Sequence, residues 1–266
     1  MALADTNNAV PHRDDLPVRN IELHDLRIVL AQGWQDFLAK RGDLLFLGVI
    51  YPIVIVIAVT AALNASILPL VFPLVAGSVV FGPAVASGYY ELARRRELGL
   101  DSRWRHFLDV LRGPAAPALA GLTSMTVLLF MLWVLAAWFI YGATVGTVAP
   151  EGFVSVRAFL QTVFSTREGW TMIVVGNLVG LAFVIVALAI SIVSFPMVVD
   201  KRVDWGVAMR TSIRVARKNP VPTAAWGLIV VALSVLGALP ALVGLAVVFP
   251  VLGYATWHLY TRAVVR

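Results

Sequence analysis

The sequence predicts an all-α protein, a polytopic membrane helix bundle with six transmembrane helices. Of its 266 residues, 60 % are hydrophobic and only 14 % are charged, whereas about a quarter of the residues in a soluble domain are charged. The apolar residues form long uncharged runs that can cross the hydrocarbon core of a bilayer. These runs come in three pairs, so we expect three helix-hairpin repeats, each preceded by an amphipathic interfacial helix.

The chain begins with a polar segment, residues 1–20, that has no apolar periodicity. We expect a disordered cytoplasmic tail there and a single transmembrane domain over 21–266. Apolar residues then recur at helical spacing over 21–41, which predicts an interfacial helix. They are Leu23, Leu26, Leu30, Trp34, Phe37 and Leu38.

Six spans follow from the uncharged runs, together with shorter helices between them. The spans are expected over 44–63, 67–92, 116–141, 171–199, 220–239 and 241–260. Two more amphipathic helices are expected over 101–112 and 203–218, the first with Trp104, Phe107, Leu108 and Leu111 on one face. The loop between 142 and 170 can form a short helix over 155–164.

A Phe-Pro pair, or Phe-Gly-Pro, recurs late in the second span of each pair. It contains Pro83, Pro196 and Pro250, which are candidate kink positions because proline removes one helical hydrogen bond. This recurrence predicts repeat units over about 21–96, 101–202 and 203–266, all running in the same direction.

The distribution of basic residues predicts the orientation. Of the 21 Lys and Arg residues, all but Arg157 and Arg167 fall in the N-terminal segment, after span two, after span four or at the C-terminus. Because cytoplasmic segments carry the excess of Lys and Arg, both termini are expected in the cytoplasm.

Several short stretches carry a family resemblance. They are Glu168-Gly169-Trp170, Val175-Gly176-Asn177-Leu178-Val179-Gly180, Ser194-Phe195-Pro196-Met197-Val198-Val199-Asp200, Val203-Asp204-Trp205, Ala208-Met209-Arg210-Thr211-Ser212, Asn219-Pro220-Val221-Pro222 and residues 250–260. They resemble the DUF2189 family of uncharacterised bacterial integral membrane proteins, and the resemblance extends over nearly everything from Asn20 on. It implies a bacterial inner-membrane location and no particular activity.

Candidate functional residues within the spans are few. Gly176, Asn177 and Gly180 offer close helix packing with a polar contact, or a polar point on a substrate path. His258 is interpreted as a residue of the interfacial aromatic belt beside Trp257 and Tyr260, with a haem or metal ligand as the alternative. The sequence shows no nucleophilic triad, no phosphate-binding Gly-rich loop, no metal-ligand spacing and no Cys, so we expect no enzyme activity, no cofactor and no metal.

Two basic clusters complete the candidates. Arg94, Arg95 and Arg96 follow span two, and a stripe on the predicted helix 203–218 contains Arg210, Arg214 and Arg217. We interpret them as topology determinants and as contacts for the bilayer and its anionic lipid headgroups, not for nucleic acid.

These observations favour a non-enzymatic inner-membrane protein that organises or assembles other membrane components, with other membrane proteins as possible partners. The alternative is a facilitator or lipid-handling transporter that uses the bundle axis between the Pro-kinked helices.

The predicted topology can be tested with single-cysteine variants, since the chain has no Cys of its own. A membrane-impermeant maleimide added to intact cells should label Ser155→Cys. It should label Leu100→Cys and Gly206→Cys only after the membrane is permeabilised. The opposite labelling would contradict the topology.

Overall fold

The computed structural model describes residues 16–39, 73–74, 79–150, 153, 155–240 and 243–266. Within these residues the long helices are α1 (23–39), α2 (Ser87–Glu97), α3 (Ala116–Ala143), α4 (Val156–Ser165), α5 (Arg167–Ser191), α6 (Ser194–Lys201), α7 (Trp205–Lys218), α8 (Pro220–Ala238) and α9 (Leu245–Ala263). Single helical turns cover Gly82–Val85 and Val145–Val148, and 3-10 turns cover Val79–Phe81, Trp104–His106 and Asp109–Leu111. The all-α class is confirmed for this part of the chain, where the only extended pairing is an isolated bridge between Val18 and Val264.

Three helical segments of the described chain are long and apolar enough to cross a membrane. They are Ala116–Val148, Arg167–Lys201 and Pro220–Ala238, and they coincide with predicted spans three, four and five. The predicted span 44–63, residues 67–72 and 75–78 of the predicted span 67–92, and the tail as far as residue 15 lie outside the described residues. The number of six spans therefore stays a prediction.

Helix α9, the predicted sixth span, is not among those three segments, because polar residues such as His258, Thr261 and Arg262 make its second half insufficiently apolar. This second half belongs to the protein core. Trp257 and Tyr260 are completely buried there. A Cβ added to Gly33 of α1 would lie 2.7 Å from the Ala255 nitrogen and 2.7 Å from the Val251 oxygen. The two helices thus pack backbone against backbone, which only glycine permits.

Helix α1 turns one apolar face to the protein rather than to lipid. Leu26, Val29 and Phe37 are buried in the main core, whereas Leu23, Trp34 and Leu38 are exposed. The apolar residues predicted as a single membrane-facing stripe therefore lie on two sides of the helix. Only the exposed side is left for contact with a bilayer.

The α-helix predicted over 101–112 is wrong. The segment forms two 3-10 turns instead, because the ring of Phe107 packs directly on Gly88 and meets Tyr89 edge-on at 4.9 Å. The side chain of Asp101 also accepts a hydrogen bond from the Arg103 backbone N–H and stabilises a turn. Repeat unit two therefore lacks the expected interfacial helix, and the repeat as a whole stays a prediction.

The third amphipathic helix forms close to the predicted bounds. Asp204 caps α7 by accepting a 2.7 Å hydrogen bond from the Gly206 N–H. Ala208, Thr211 and Ser212 are buried, and the Trp205 ring packs over Gly121 of α3. Helix α7 is therefore packed against the spans along one face.

The helix of span four is interrupted before Pro196. Helix α5 ends at Ser191 and α6 begins at Ser194, whereas Pro250 lies inside the unbroken α9 and Pro83 lies in the first turn of Gly82–Val85. At the interruption the Ser212 hydroxyl donates to the Ala189 carbonyl at 2.8 Å and accepts from the Val193 N–H at 3.4 Å. The Ser212 side chain of α7 thus forms hydrogen bonds with both the carbonyl and the N–H that would otherwise bond to each other in a continuous helix.

Replacing this hydroxyl should destabilise the protein. Ser212→Ala leaves a buried carbonyl and a buried N–H without this partner, at a cost of roughly 1–3 kcal/mol. We expect a lower melting temperature in detergent, by roughly 2–4 °C per kcal/mol for a chain of this size.

Ser191→Ala is the matched control, since the Ser191 hydroxyl only donates to the Ala187 carbonyl within its own helix. Its melting temperature should change much less. Equal losses for the two variants would contradict a special role for Ser212.

Candidate functional site

The ends of α1, α2, α6 and α9 meet in a set of charged side chains that we call the ion-pair layer. Its members come from segments far apart in the sequence, and all of them except His258 are acidic or basic groups of opposite charge. They are Asp25, Asp36, Arg96, Glu97, Asp200, His258, Arg262 and Arg266.

The last residue of the sequence is the centre of this layer. The Arg266 guanidinium contacts Glu97 at 2.5 Å and Asp200 at 3.1 Å, and it lies 4.9 Å from the centroid of the Trp257 ring. The same two carboxylates accept hydrogen bonds from Trp257 Nε1 at 2.8 Å and from the Tyr260 hydroxyl at 2.7 Å. Cation–π contact and charge-assisted hydrogen bonds therefore join α2, α6 and α9 at one point.

Asp36 joins α1 to the same layer. One oxygen accepts from Arg96 at 2.6 Å and the other contacts His258 Nε2 at 2.8 Å. The aromatic-belt interpretation of His258 is wrong, because Trp257 and Tyr260 on either side of it are buried. No group of three metal-ligating side chains occurs among the described residues.

A second cluster surrounds Glu91, a carboxylate buried inside α2. Arg94 and Arg95 contact it at 2.9 and 2.8 Å, and Arg95 also reaches Asp109 at 2.9 Å. The hydrogen bond with His106, followed by the positive charges nearby, lowers the pKa of Asp109 below its usual value. This contribution to stability is therefore present above the ordinary Asp pKa and is lost only as the pH falls through the lowered one.

The arginines predicted to contact lipid headgroups thus divide into two kinds. Arg94, Arg95 and Arg96 all have carboxylate partners within the chain. For Arg210 and Arg217 the described residues provide no carboxylate within the 4 Å of an ion pair. The charge of the first cluster is therefore neutralised internally, whereas Arg210 and Arg217 of the α7 stripe are exposed.

The α7 stripe borders an open groove with a volume of about 590 Å³, which we call the basic groove. It is lined by Leu16, Pro17, Val18, Arg214, Arg217 and Lys218. Lys218 Nζ donates to the Val18 carbonyl at 2.7 Å. The buried Asn219 side chain accepts from the Ile21 N–H at 2.8 Å and donates to the Arg19 carbonyl at 3.2 Å. Residues 16–21, partly assigned to the predicted tail, therefore form a strap held against the end of α7.

The three candidate residues of α5 do not act together. Gly180 is buried under Trp133, 3.5 Å from a built Cβ, whereas a Cβ at Gly176 would meet nothing within 4 Å. Asn177 is exposed and donates to the Ile173 carbonyl of its own helix at 2.7 Å. The predicted polar contact between helices is not made by this amide group within the described chain.

Sequence reasoning missed Ser212, Asn219 and Arg266 as organising residues. Asn219 stands directly before the Pro220 that opens α8, where a helix-capping side chain is common. Ser212 and Arg266 gave no comparable signal, because their partners are distant in the sequence.

Part of the chain matches a known family. Residues 71–200 match the DUF2189 family model, described as a predicted integral membrane protein. The chain resembles DUF2189. The match to DUF2189 includes Glu91 with its two arginines and the Phe195-Pro196 pair, and the stretches predicted from residue 203 onward lie outside it. No curated protein and no solved structure matches the chain.

The role of Arg266 can be measured through stability. Arg266→Ala removes a guanidinium shared by two carboxylates and two aromatic rings, which should cost roughly 1–3 kcal/mol and lower the melting temperature in detergent. Arg266→Lys should lose part of this, because an ammonium cannot donate to both carboxylates with the same fixed geometry.

Arg103→Ala is the control, since Arg103 is exposed beside Asp101 and exposed ion pairs contribute little. If Arg266→Ala and Arg103→Ala lowered the melting temperature equally, the central role of Arg266 would be refuted.

Proposed function

We propose that this integral membrane protein is a non-enzymatic component of the bacterial inner (cytoplasmic) membrane that organises or assembles other membrane components. In this proposal both termini lie in the cytoplasm. The ion-pair layer and the basic groove then lie at the cytoplasmic surface, where cation-rich segments are favoured.

The observation that carries the proposal is the outward position of Asn177. It lies ten residues into α5, about 15 Å along the helix axis from Arg167, with the exposed apolar residues Val174 and Leu181 on the same side. A polar amide on a lipid-facing helix favours contact with another helix, because lipid provides no hydrogen-bond partner. The open side of Gly176 allows such a helix to approach closely.

The ion-pair layer supports the same role. It fastens α1, α2, α6 and α9 to one another through Asp36 and Arg266. Because several charge-assisted contacts hold these helix ends together, the spans keep fixed positions. The outward face of α5 is then presented to a partner in one orientation.

A lipid-handling or facilitator role is the second candidate. It is favoured by the basic groove, whose residue Lys218 lies just before α8, a helix that exposes the apolar residues Val221 and Leu228. A protein that moves lipids or solutes would extend such a polar surface into a path between the spans.

Photo-crosslinking in native membranes tests the organising role. A photoreactive amino acid at Leu181, one helical turn from Asn177, should give discrete adducts with a protein partner. The additional change Asn177→Leu should reduce these adducts several-fold, since it removes the polar group of the contact.

Leu228 on α8 is the matched control position, because it is an equally apolar and exposed side chain of another span. It should give no adduct that depends on Asn177. Protein adducts of equal yield at both positions, or none at Leu181, would count against the proposal.

A further inference from the structure

We propose that the basic groove is a binding site for a phosphate monoester, presented by an anionic lipid headgroup or by a soluble molecule. The site would be formed by Arg214, Arg217 and Lys218 of α7 and by residues 16–18 of the strap. It deepens the proposed function by naming a ligand class, and its lipid form rests on the proposed position of α7 at the cytoplasmic surface.

The charge balance around the groove supports this assignment. Seven arginines at this end of the protein contact carboxylates, namely Arg94, Arg95, Arg96, Arg103, Arg105, Arg262 and Arg266. For Arg217 and Lys218, no carboxylate of the described chain comes within the 4 Å of an ion pair. The groove therefore brings together two cations that no carboxylate of the described residues neutralises at ion-pair distance.

The geometry of α7 brings the cations to one wall. Arg210, Arg214, Arg217 and Lys218 are spaced four, three and one residue apart on a helix of 3.6 residues per turn. Arg214 and Lys218 differ by four residues, so their side chains lie one above the other on the same face. An anion in the groove would therefore meet these side chains and Arg217 from one side.

The opposite wall is fixed by hydrogen bonds before any ligand arrives. Arg214 Nη2 is 3.2 Å from the Thr211 hydroxyl and 3.4 Å from the Leu16 carbonyl. Lys218 and Asn219 hold the carbonyls of Val18 and Arg19. Cations that are already positioned lose little conformational freedom on binding, which favours affinity.

The size and charge of the groove indicate a phosphate monoester rather than a diester. Its volume of about 590 Å³ falls in the range of small-molecule sites. A phosphate monoester carries a charge of about −1.5 to −2 at neutral pH and three acceptor oxygens, and guanidinium groups bind such oxygens in pairs. A diester offers one negative charge and fewer free oxygens to the same cations.

A lipid source is favoured by the apolar surface next to the groove. Helix α8 starts directly after Asn219, and Val221 in its first turn is exposed. A headgroup in the groove would place its acyl chains along this apolar surface. A soluble phosphate ester would bind the same cations without using α8.

The test is a titration of the purified full-length protein in an uncharged detergent, followed by calorimetry. The probes are dioctanoyl phosphatidic acid, dioctanoyl phosphatidylglycerol, dioctanoyl phosphatidylcholine and glycerol 3-phosphate. We expect phosphatidic acid to bind more tightly than phosphatidylglycerol and phosphatidylcholine. Arg217→Gln should weaken its binding roughly tenfold, the loss expected for one charge-assisted contact, and Arg217→Lys should weaken it less.

Arg210→Gln is the matched control, since it removes the same charge from the same helix but does not line the groove. It should change the dissociation constant by less than about twofold. Glycerol 3-phosphate that binds as tightly as phosphatidic acid, with the same dependence on Arg217, would support the site with a soluble source.

Two results would overturn the proposal. One is an equal loss for Arg210→Gln and Arg217→Gln, which would show a diffuse attraction of anions to the stripe. The other is equal affinity for phosphatidic acid and phosphatidylcholine. Neither depends on the crosslinks at Leu181, so the failure of this site and the failure of the organising role are distinguishable.

Discussion

The interruption of span four before Pro196 is the feature on which the packing at the charged end depends. Proline provides no N–H, so the Ile192 carbonyl has no helical donor four residues on. The Ser212 hydroxyl occupies the neighbouring gap between Ala189 and Val193. This contact fixes α7 against the spans and lets α6 start in a new direction, with Phe195 and Met197 buried in the core.

The redirected α6 brings Asp200 to the C-terminus of the chain. There Asp200 accepts a hydrogen bond from the Tyr260 hydroxyl and forms an ion pair with Arg266. Glu97 of α2 forms a second ion pair with Arg266. These interactions give a role to Trp257, His258 and Tyr260 in the second half of α9, which belongs to the predicted sixth span. Each of these side chains has a polar atom that contacts a carboxylate of the ion-pair layer. The rings of Trp257 and Tyr260 are apolar enough to be buried.

Sequence periodicity predicted a helix correctly where local composition determines the secondary structure. It failed where contacts between residues far apart in the sequence determine it. The runs at 116–141 and 220–239 became α3 and α8 within two residues of the predicted ends. The segment 101–112 has helical spacing, yet the contact of Phe107 with Gly88 and the hydrogen bonds of Asp101 impose 3-10 turns. The sequence predicted two arginine clusters as lipid-headgroup contacts. No residue near either cluster in the sequence indicated that the two would differ in the structure.

The two arginine clusters differ in their interaction partners, some of which lie far away in the sequence. Arg96 is neutralised by Asp36, sixty residues before it, and Arg95 by Glu91 and Asp109. Arg217 comes from a helix of the same basic character, but it borders a groove whose other wall is formed by the uncharged strap residues 16–18. The cluster Arg94–Arg96 therefore forms ion pairs that stabilise the fold, whereas Arg217 contributes to an exposed positive surface. Which one results depends on where the fold puts its few carboxylates, because an arginine that is already paired has less charge to offer a ligand.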